Sequence, residues 1–467
     1  MTKVFTAFAT VLLAVPSQAA VWQFSLPVSA KNAAIKVEVT PFKYGKTWAY
    51  SFEQDDSPAS TLTVSQPLLA RYQWNDAPPG VIGGRNHPFV GTAAVILGNL
   101  DAGNATVLTY PQIAALKKSG WGIANHSYAH SGNGWEPSQA LQPDDFAREL
   151  FWSQAVYAER IGAGRGAVHF VLPNGYVDYV PHLRKGGLQS SSRVAGSSPR
   201  NVFDPKYDPF DLTRTYLDEG VWQKDNDPLL DFPVKLIPGD FVTDFTHNIE
   251  ADPNSANYKR WVARLNHIAT AWGATGDNSV WVAPTDAVIT YHLAARAATV
   301  TVRSGRVSVA LPDTVPGSAL TLKITGLGTT TLKTPPGATL YRRGDTAWLT
   351  TPMIGKPGVP PPTPRLRCLY AGELKNLVWD KPVALAGVRI RQFGPGSDGF
   401  VFKLDTVTPD GKIASLLPSG ESKLKEVWGG WNLYPILPNC PAVLVKELRV
   451  TPGKDLNEME VWEVVSP

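Results

Sequence analysis

The sequence feature that most constrains the fold is an alternation of short β-rich runs and amphipathic helical stretches between about residues 45 and 298. Trp261, Leu265 and Ile268, for example, follow the i, i+4, i+7 spacing that predicts a helix over residues 258–272 with one apolar face. Strands that alternate with helices predict a parallel sheet with helical crossovers, and the natural closed form of such a sheet is a barrel of β/α units. In such a barrel, reactive side chains are expected at the C-terminal ends of the strands.

Polar residues follow four of the predicted strands. They occupy positions 53–56 (Glu-Gln-Asp-Asp), 126–130 (His-Ser-Tyr-Ala-His), 173–175 (Pro-Asn-Gly) and 244–248 (Asp-Phe-Thr-His-Asn). Because the C-terminal strand ends of a barrel meet on one face, these segments are expected to contribute to one site.

His126 and His130 have the spacing of one helical turn, which brings two imidazole rings to the same face. Two imidazoles and a carboxylate form a three-ligand metal set that leaves a position for water and substrate. A second carboxylate, free of the metal, can act as a base, while Zn²⁺ lowers the pKa of bound water to about 7 and polarises a carbonyl group. The combination favours hydrolysis of an amide or an ester, although each motif alone is more typical of hydrogen-bonded histidines and solvated acids.

The segments SFEQDDSP, NHSYAH and FVLPNG, in this order, resemble the first three motifs of the NodB-homology polysaccharide deacetylases, carbohydrate esterase family 4. The later segment WVAPTDAVITYHLAAR is similar to the helix-forming end of that domain. The resemblance covers roughly residues 45–298. It implies a distorted (β/α)7 barrel that removes acetyl groups from polymers of N-acetylated amino sugars.

The resemblance also implies a role for each matching residue. Asp55 is expected to be the catalytic base, and His247, in the DFTHN segment, the acid that protonates the leaving amine. The expected metal ligands are Asp56, His126 and His130. Zinc is the divalent metal that suits this nitrogen and oxygen donor set best. The residues expected to form the wall of the substrate groove are Pro173, Asn174 and Gly175.

The sequence departs from the family pattern at three points. Glu53 and Gln54 separate the hydrophobic run from the two acids, which predicts a different loop geometry. Val171 stands where the family has an arginine that pairs with the base, and loss of such a partner tends to raise the pKa of a carboxylate unless another cation replaces it. The candidate replacements are Arg85, Arg148 and Arg165. The fourth motif has no convincing counterpart, and the candidates to orient the late histidine are Asp218 and Asp240.

The first 19 residues have the three-part pattern of a signal peptide: a charge at Lys3, an apolar run over 4–15, and small residues at Ser17 and Ala19. This pattern predicts a secreted or periplasmic protein, and a buried N-terminal strand is the alternative. The run is too short to span a membrane, and no later segment is long and apolar enough, so no membrane span is expected. The net charge is only +4 and Lys and Arg form no long run, so nucleic acid is not expected as a partner.

Composition changes divide the rest of the chain. The barrel, with an N-terminal extension, is assigned to residues 20–298, and Thr- and Val-rich runs predict a small β domain over 299–350. A proline-rich linker over 351–367 precedes a second all-β domain over 368–467. The strands of this last domain resemble the discoidin-like, galactose-binding β-sandwich modules. The resemblance implies carbohydrate binding, and a purely structural cap is the alternative.

The two cysteines of the chain, Cys368 and Cys440, both lie in this last domain. An even pair in an oxidising compartment predicts a disulfide, and two free buried thiols are the alternative.

These observations predict a secreted, metal-dependent N-deacetylase that acts on an acetylated amino-sugar polysaccharide. An O-acetyl polysaccharide esterase is one alternative, because the same attack by metal-activated water cleaves an ester. A non-catalytic polysaccharide-binding matrix protein on a decayed barrel is the other. The intact acids and histidines of the first two motifs argue against decay, whereas Val171 argues mildly for it.

Overall fold

A computed structural model describes residues 19–27, 35–132, 140–194, 200–218, 236–392, 403–417, 430–451 and 456–465. The predicted signal peptide lies outside the described residues except for Ala19. In the part of the chain that the structure describes, no helix combines the length and apolar character needed to cross a membrane.

The α-helices of the described residues are α1 (Gln66–Leu69), α2 (Tyr110–Lys118), α3 (Pro143–Arg160), α4 (Val180–Lys185), α5 (Ala256–Ala271) and α6 (Thr285–Ala297). Helix α5 confirms the helix predicted over residues 258–272 from apolar spacing. At the start of α2, Thr109 Oγ1 accepts from the backbone N–H of Gln112, whose side chain accepts from the backbone N–H of Thr109. This capping box fixes the beginning of the helix.

The strands fall into a parallel set and several antiparallel sets. In chain order they are β1 (Ala20–Ser25), β2 (Lys36–Val39), β3 (Trp48–Gln54), β4 (Gln73–Asn75), β5 (Asn86–Pro88), β6 (Thr92–Val95), β7 (Gly122–Asn125), β8 (His169–Val171), β9 (Ser190–Val194), β10 (Arg200–Asn201), β11 (Leu212–Tyr216), β12 (Asp240–Thr246), β13 (Val280–Val282), β14 (Thr299–Arg303), β15 (Arg306–Leu311), β16 (Thr321–Thr325), β17 (Thr339–Arg343), β18 (Thr346–Thr350), β19 (Leu366–Glu373), β20 (Leu377–Gln392), β21 (Lys403–Val407), β22 (Ile413–Ser415), β23 (Trp431–Pro435), β24 (Val443–Thr451) and β25 (Leu456–Val464).

Seven parallel strands close into a barrel in the order β3, β6, β7, β8, β9, β11 and β12. The barrel closes where β12 pairs with β3, from Phe241 opposite Ala49 to Thr246 opposite Gln54. Strand β13 adds to β3 in parallel, and β10 adds to β12 in the antiparallel direction. The predicted fold class, a distorted seven-stranded barrel with additional β structure, is confirmed.

Side chains of a barrel strand point alternately to the interior and to the surrounding helices. Phe52 of β3 faces the helices, with its ring centroid 5.1 Å from that of Trp261 on α5 and 5.9 Å from that of Trp121. The next residue, Glu53, faces the interior and is completely buried. Because a slip of one residue would exchange these two environments, aromatic packing outside and charge pairing inside together fix the register of β3.

Two antiparallel sheets combine the N-terminal extension with strands that follow the barrel. Strand β1 pairs with β15, which pairs with β14. Strand β2 pairs with β16 at the edge of a four-stranded sheet that also contains β17 and β18. The extension and the residues after 298 therefore fold together, although the whole barrel separates them in the sequence.

The last strands form a seven-stranded antiparallel sheet, in the order β19, β25, β20, β24, β21 and β22 with β23 on β20. We call its described residues, from Leu366 onward, the C-terminal β unit. The proline-rich segment before it lies against the barrel: Val359 is buried and forms a β-bridge with Gly166. Arg165 also donates hydrogen bonds to the carbonyl oxygens of Pro357 and Gly358.

The disulfide predicted between Cys368 and Cys440 is wrong, because both cysteines are free in the structure. Cys368 lies on β19 facing helix α3, where Arg160 Nη2 donates to its Sγ at 3.3 Å, and burial raises the pKa of its thiol to about 12. Cys440 is exposed in the turn after β23. A shared compartment and domain predicted the pair, but a disulfide also requires facing Cβ atoms, which the sequence does not specify.

Candidate active site

The C-terminal strand ends of the barrel bring the predicted site residues together. Asp55 and Asp56 directly follow β3, His126 directly follows β7, and His247 directly follows β12. His130 completes the group from the turn after His126.

The candidate metal ligands form one cluster. Nε2 of His126 lies 3.3 Å from Oδ1 of Asp56, and Nε2 of His130 lies 3.6 Å from the same oxygen. One ligand atom from each residue lies within 4.8 Å of the others. Three nitrogen and oxygen donors around one point, with one side open, are the arrangement of a catalytic zinc site.

The surroundings of the cluster fit a bound cation. Nδ1 of His126 lies 2.8 Å from the carbonyl oxygen of Val171, so a proton on Nδ1 leaves the lone pair of Nε2 directed toward Asp56. Oδ1 of Asp56 is buried and has no hydrogen-bond partner among the described residues. Burial, with a contribution from the charge of His126, lowers the pKa of His130 to about 4. The His130 ring is therefore neutral at neutral pH, as metal binding requires.

Two residues of this cluster and the neighbouring Ser127 adopt left-handed backbone conformations that are unusual outside glycine. The φ angles are 71° at Asp56, 66° at Ser127 and 54° at His130. Such conformations persist only where the surrounding structure holds them, and they are concentrated at functional sites. Part of this support is local, because the backbone N–H of His130 donates to Oγ of Ser127 at 2.9 Å.

The candidate base is held by an arginine that the sequence analysis did not identify. Arg214 of β11 donates one hydrogen bond to each carboxylate oxygen of Asp55, both at 2.9 Å. The same guanidinium donates to Oε2 of Glu53 at 2.7 Å and lies 3.8 Å from the ring centroid of Phe245. Both Arg214 and Asp55 are almost completely buried. Their charges therefore interact far more strongly than a surface pair would.

The arginines predicted to fill this role lie elsewhere. Arg148 forms an ion pair within α3, Arg165 binds the proline-rich segment, and Arg85 lies in the connection before β5. The sequence did contain a signal for this role, because Arg214 is a single charge within a β-rich run. A charge at an inward-facing strand position requires a buried partner. The sequence does not reveal that this partner is Asp55.

Glu53 and Gln54 both belong to β3, so they lengthen this strand before the two acids. Oε1 of Glu53 lies 3.3 Å from Nε2 of His169, and its other oxygen binds Arg214. Burial raises the pKa of Glu53, but the charge of Arg214 and the hydrogen bond from His169 outweigh this effect and lower it to about 2. Glu53 is thus a buried counter-charge in the barrel interior.

His247 is oriented by Asp218, one of the two acids that the sequence left open. Its Nδ1 lies 2.6 Å from Oδ2 of Asp218, and its backbone N–H donates to Oδ1 at 2.8 Å. Burial lowers the pKa of His247, but the hydrogen bond with Asp218 and the charge of Asp55 outweigh burial, so the net shift is upward. Nε2 of His247 lies 4.0 Å from Oδ2 of Asp56, and Asp240 instead binds Asn201.

The predicted groove-wall residues form a tight turn directly after β8. Pro173 is buried, and Asn174 has a φ of 50°. The side-chain amide of Asn174 donates to the carbonyl oxygen of Gly132 at 2.9 Å, so it joins this turn to the segment that carries His130. A role of Pro173, Asn174 and Gly175 in substrate binding stays a prediction.

A separate cavity of about 450 Å³ lies at the opposite end of the barrel strands. Its lining includes Trp121 and Val168, which directly precede β7 and β8, together with Trp281 of β13 and Asp286 of α6. None of the candidate metal ligands lines this cavity.

Comparison with known proteins gives a partial match among solved structures. No family model matches the chain, and no curated protein matches it. Among solved structures, the chain is similar to the deacetylase PplD of Streptococcus pyogenes in complex with acetate, with a TM-score of 0.26 and 18% sequence identity. The match covers 35% of this chain and 62% of that one, so it spans less than two thirds of the other protein. A match of this extent identifies no family, and the resemblance of the C-terminal β unit to discoidin-like modules stays a prediction.

Proposed function

We propose that the protein is a metal-dependent hydrolase that removes N-acetyl groups from an acetylated amino-sugar polysaccharide. One observation carries the proposal: a three-ligand cluster, an arginine-bound carboxylate and a histidine–aspartate pair meet at the same strand ends. Each group matches one requirement of amide hydrolysis, namely a Lewis acid, a base and an acid.

Asp56, His126 and His130 would hold the metal, for which zinc is the best match to the donor set. A zinc ion supplies two effects when bound, since it lowers the pKa of a water molecule and polarises the acetyl carbonyl. The orphaned Oδ1 of Asp56 and the orientation of His126 by Val171 support this assignment.

Asp55 is the proposed base that takes a proton from the attacking water. Arg214 binds both of its oxygens, which fixes the plane of the carboxylate. Asp55 precedes Asp56 in the chain, so the base stands next to the ligand cluster.

His247 is the proposed acid. Its proton on Nε2 would pass to the nitrogen of the leaving amine, while Asp218 holds Nδ1 and raises the pKa of the ring. An amine is a poor leaving group without a proton, whereas an alcohol needs this help less. The His247–Asp218 pair therefore supports an N-acetyl substrate over an O-acetyl one.

A polymeric substrate is compatible with the exposure of the site. The side chains of Asp56 and His247 remain 42% and 38% exposed, although the base beside them is buried. A large molecule can thus reach the cluster without being enclosed. We further propose that the chain acts outside the cytoplasm, on the basis of its N-terminal sequence pattern.

The test is acetate release from a matched panel of N-acetylated glucosamine oligomers and O-acetylated xylan, with chelator and after zinc is added back. We expect release from the N-acetylated oligomers, loss with chelator and recovery with zinc. Release from the O-acetylated glycan alone would indicate the esterase. Binding without any release would indicate the matrix protein.

A further inference from the structure

The loop between the two histidine ligands is held on one side by helix α3. Oε2 of Glu149 accepts hydrogen bonds from the backbone N–H groups of Tyr128 and Ala129, at 3.1 and 3.0 Å. Glu149 is 1% exposed, so this contact is fully shielded from water. It fixes the backbone between His126 and His130 on one side only.

The other side of the same loop is held by the C-terminal β unit. The side chain of Tyr128 is buried, and its hydroxyl donates to the carbonyl oxygen of Trp431 at 2.7 Å. The hydroxyl accepts in turn from Nε of Arg389 at 3.0 Å. Arg389 is completely buried and is neutralised within its own unit by Glu460, at 2.7 Å. Tyr128 is therefore a barrel residue whose polar end is satisfied by residues about 300 positions later.

Backbone hydrogen bonds close a ring around this contact. The N–H of Gly98 donates to the carbonyl oxygen of Tyr128, and the N–H of Trp431 donates to the carbonyl oxygen of Gly98, both at 2.8 Å. The hydroxyl of Tyr128 completes the ring by donating to the carbonyl oxygen of Trp431. The metal-ligand loop, the loop after β6 and the start of β23 are thus joined pairwise.

Further contacts join helix α3 to the C-terminal β unit. Nε1 of Trp152 on α3 donates to the carbonyl oxygen of Leu437 at 2.6 Å, and Arg160 pairs with Glu460 at 2.6 Å. The ring of Trp152 packs edge-on against that of Trp462. Buried hydrogen bonds and aromatic packing of this kind are typical of a permanent interface, not of a tethered module.

We propose that the C-terminal β unit is a structural part of the metal site, and that Tyr128 and Arg389 are positioning residues for the histidine ligands. The inference rests on the metal site of the proposed function. The left-handed conformations at Ser127 and His130 need external support. The hydrogen bonds of the Tyr128 hydroxyl supply that support at a position between Ser127 and His130, away from the reacting atoms.

The test uses the full chain and zinc alone. Tyr128→Phe removes only the hydroxyl and is expected to weaken zinc affinity by about 10- to 100-fold, the usual effect of losing a group that orients a ligand. The matched control is Tyr157→Phe, which loses a similar buried hydrogen bond from its hydroxyl to the carbonyl oxygen of Ile123 at 3.0 Å. Trp152→Phe serves as a second control, because it weakens the same interface away from the loop. Zinc dissociation constants are measured by competition with a chromophoric chelator.

The proposal predicts a loss of affinity in Tyr128→Phe that both controls lack, with faster hydrogen exchange over residues 126–131. Equal zinc affinity in Tyr128→Phe and the wild-type chain would overturn it. Absence of zinc binding in the wild-type chain would instead contradict the proposed function. If Tyr128→Phe does not fold, Arg389→Lys gives the same comparison, because it keeps a charge beside Glu460 and loses the Nε donor to Tyr128.

Discussion

Two buried aspartate–arginine pairs in this molecule have nearly the same geometry and different surroundings. Arg214 binds the two oxygens of Asp55 at 2.9 Å each, and Arg264 binds those of Asp244 at 2.9 and 2.8 Å. All four side chains are 2% exposed or less. The pairs therefore match in charge, hydrogen bonding and burial.

The difference between them lies in what surrounds each carboxylate. Asp244 lies between β12 and α5, where Tyr50 also donates to it, and the pair connects a helix to the barrel wall. Asp55 lies at the end of β3 with the candidate metal ligand Asp56 next to it. A buried ion pair therefore indicates no function by itself. The position of the Arg214–Asp55 pair, at the strand ends beside two histidines, is what points to a functional role.

The largest expected effect separates the two aspartates. Asp55→Asn is expected to slow acetate release by about 100- to 10,000-fold and to retain zinc, because it removes the proposed base but no ligand. Asp244→Asn should keep the rate and lose about 3–5 kcal/mol of unfolding free energy, because Arg264 is left buried without its partner charge. Acetate release, zinc content and denaturant unfolding measure the three quantities. A comparable rate loss in both variants would mean that the pairs are equivalent after all.

A smaller effect is expected at Asp218, which orients the proposed acid His247. Asp218→Asn removes the negative charge of the group that holds Nδ1 and raises the pKa of His247, so the pKa of this ring should fall. Because the proposed acid must be protonated, the alkaline limb of the rate profile should move to lower pH. We expect the rate on the amide to fall more than the rate on an acetyl ester, as measured by acetate release across pH. An unchanged alkaline limb would remove His247 from the role of acid.

The smallest effect is expected at Asp286, a partly buried acid that lines the cavity at the opposite end of the barrel. Burial raises the pKa of Asp286 to about 6, whereas Glu53, with Arg214 beside it, has its pKa lowered to about 2. An acid whose pKa is raised on folding destabilises the fold increasingly as pH rises from about 4 through 6. Asp286→Asn should therefore gain about 5 °C in Tm relative to the wild-type chain between pH 4 and pH 8. A Tm difference that is the same at both pH values would contradict this reading of Asp286.

Much of the barrel could be predicted because local patterns specify it. The spacing of apolar residues in α5 is such a local signal, and the structure confirms the predicted helix. Residue pairs that form only when the barrel closes leave no such local signal in the sequence. Arg214 meets Asp55 only because β11 and β3 both pair with β12, a relation between segments about 160 residues apart.

Prediction of the candidate site was limited in the same way, because contacts between distant segments have no local sequence signal. The motif residues of the first two strand ends were predicted to lie together, because the rule for strand ends needs only the order of elements. The contact between Tyr128 and Trp431 was not foreseen, since it joins the barrel to a unit that the sequence presented as separate. The disulfide was predicted wrongly for the same reason, because local sequence does not specify the relative directions of side chains on distant segments.

The most direct test of the account is the zinc content of the full chain. Wild-type protein, the variant His126→Ala and the variant His169→Ala are each purified, dialysed against zinc and analysed by mass spectrometry of the metal. His169 is the matched control, because it is a buried barrel histidine that binds Ser190 and Glu53 instead of the cluster. We expect one zinc per chain in the wild type and in folded His169→Ala, and loss of most of it in folded His126→Ala. Full zinc occupancy in His126→Ala would contradict the central claim.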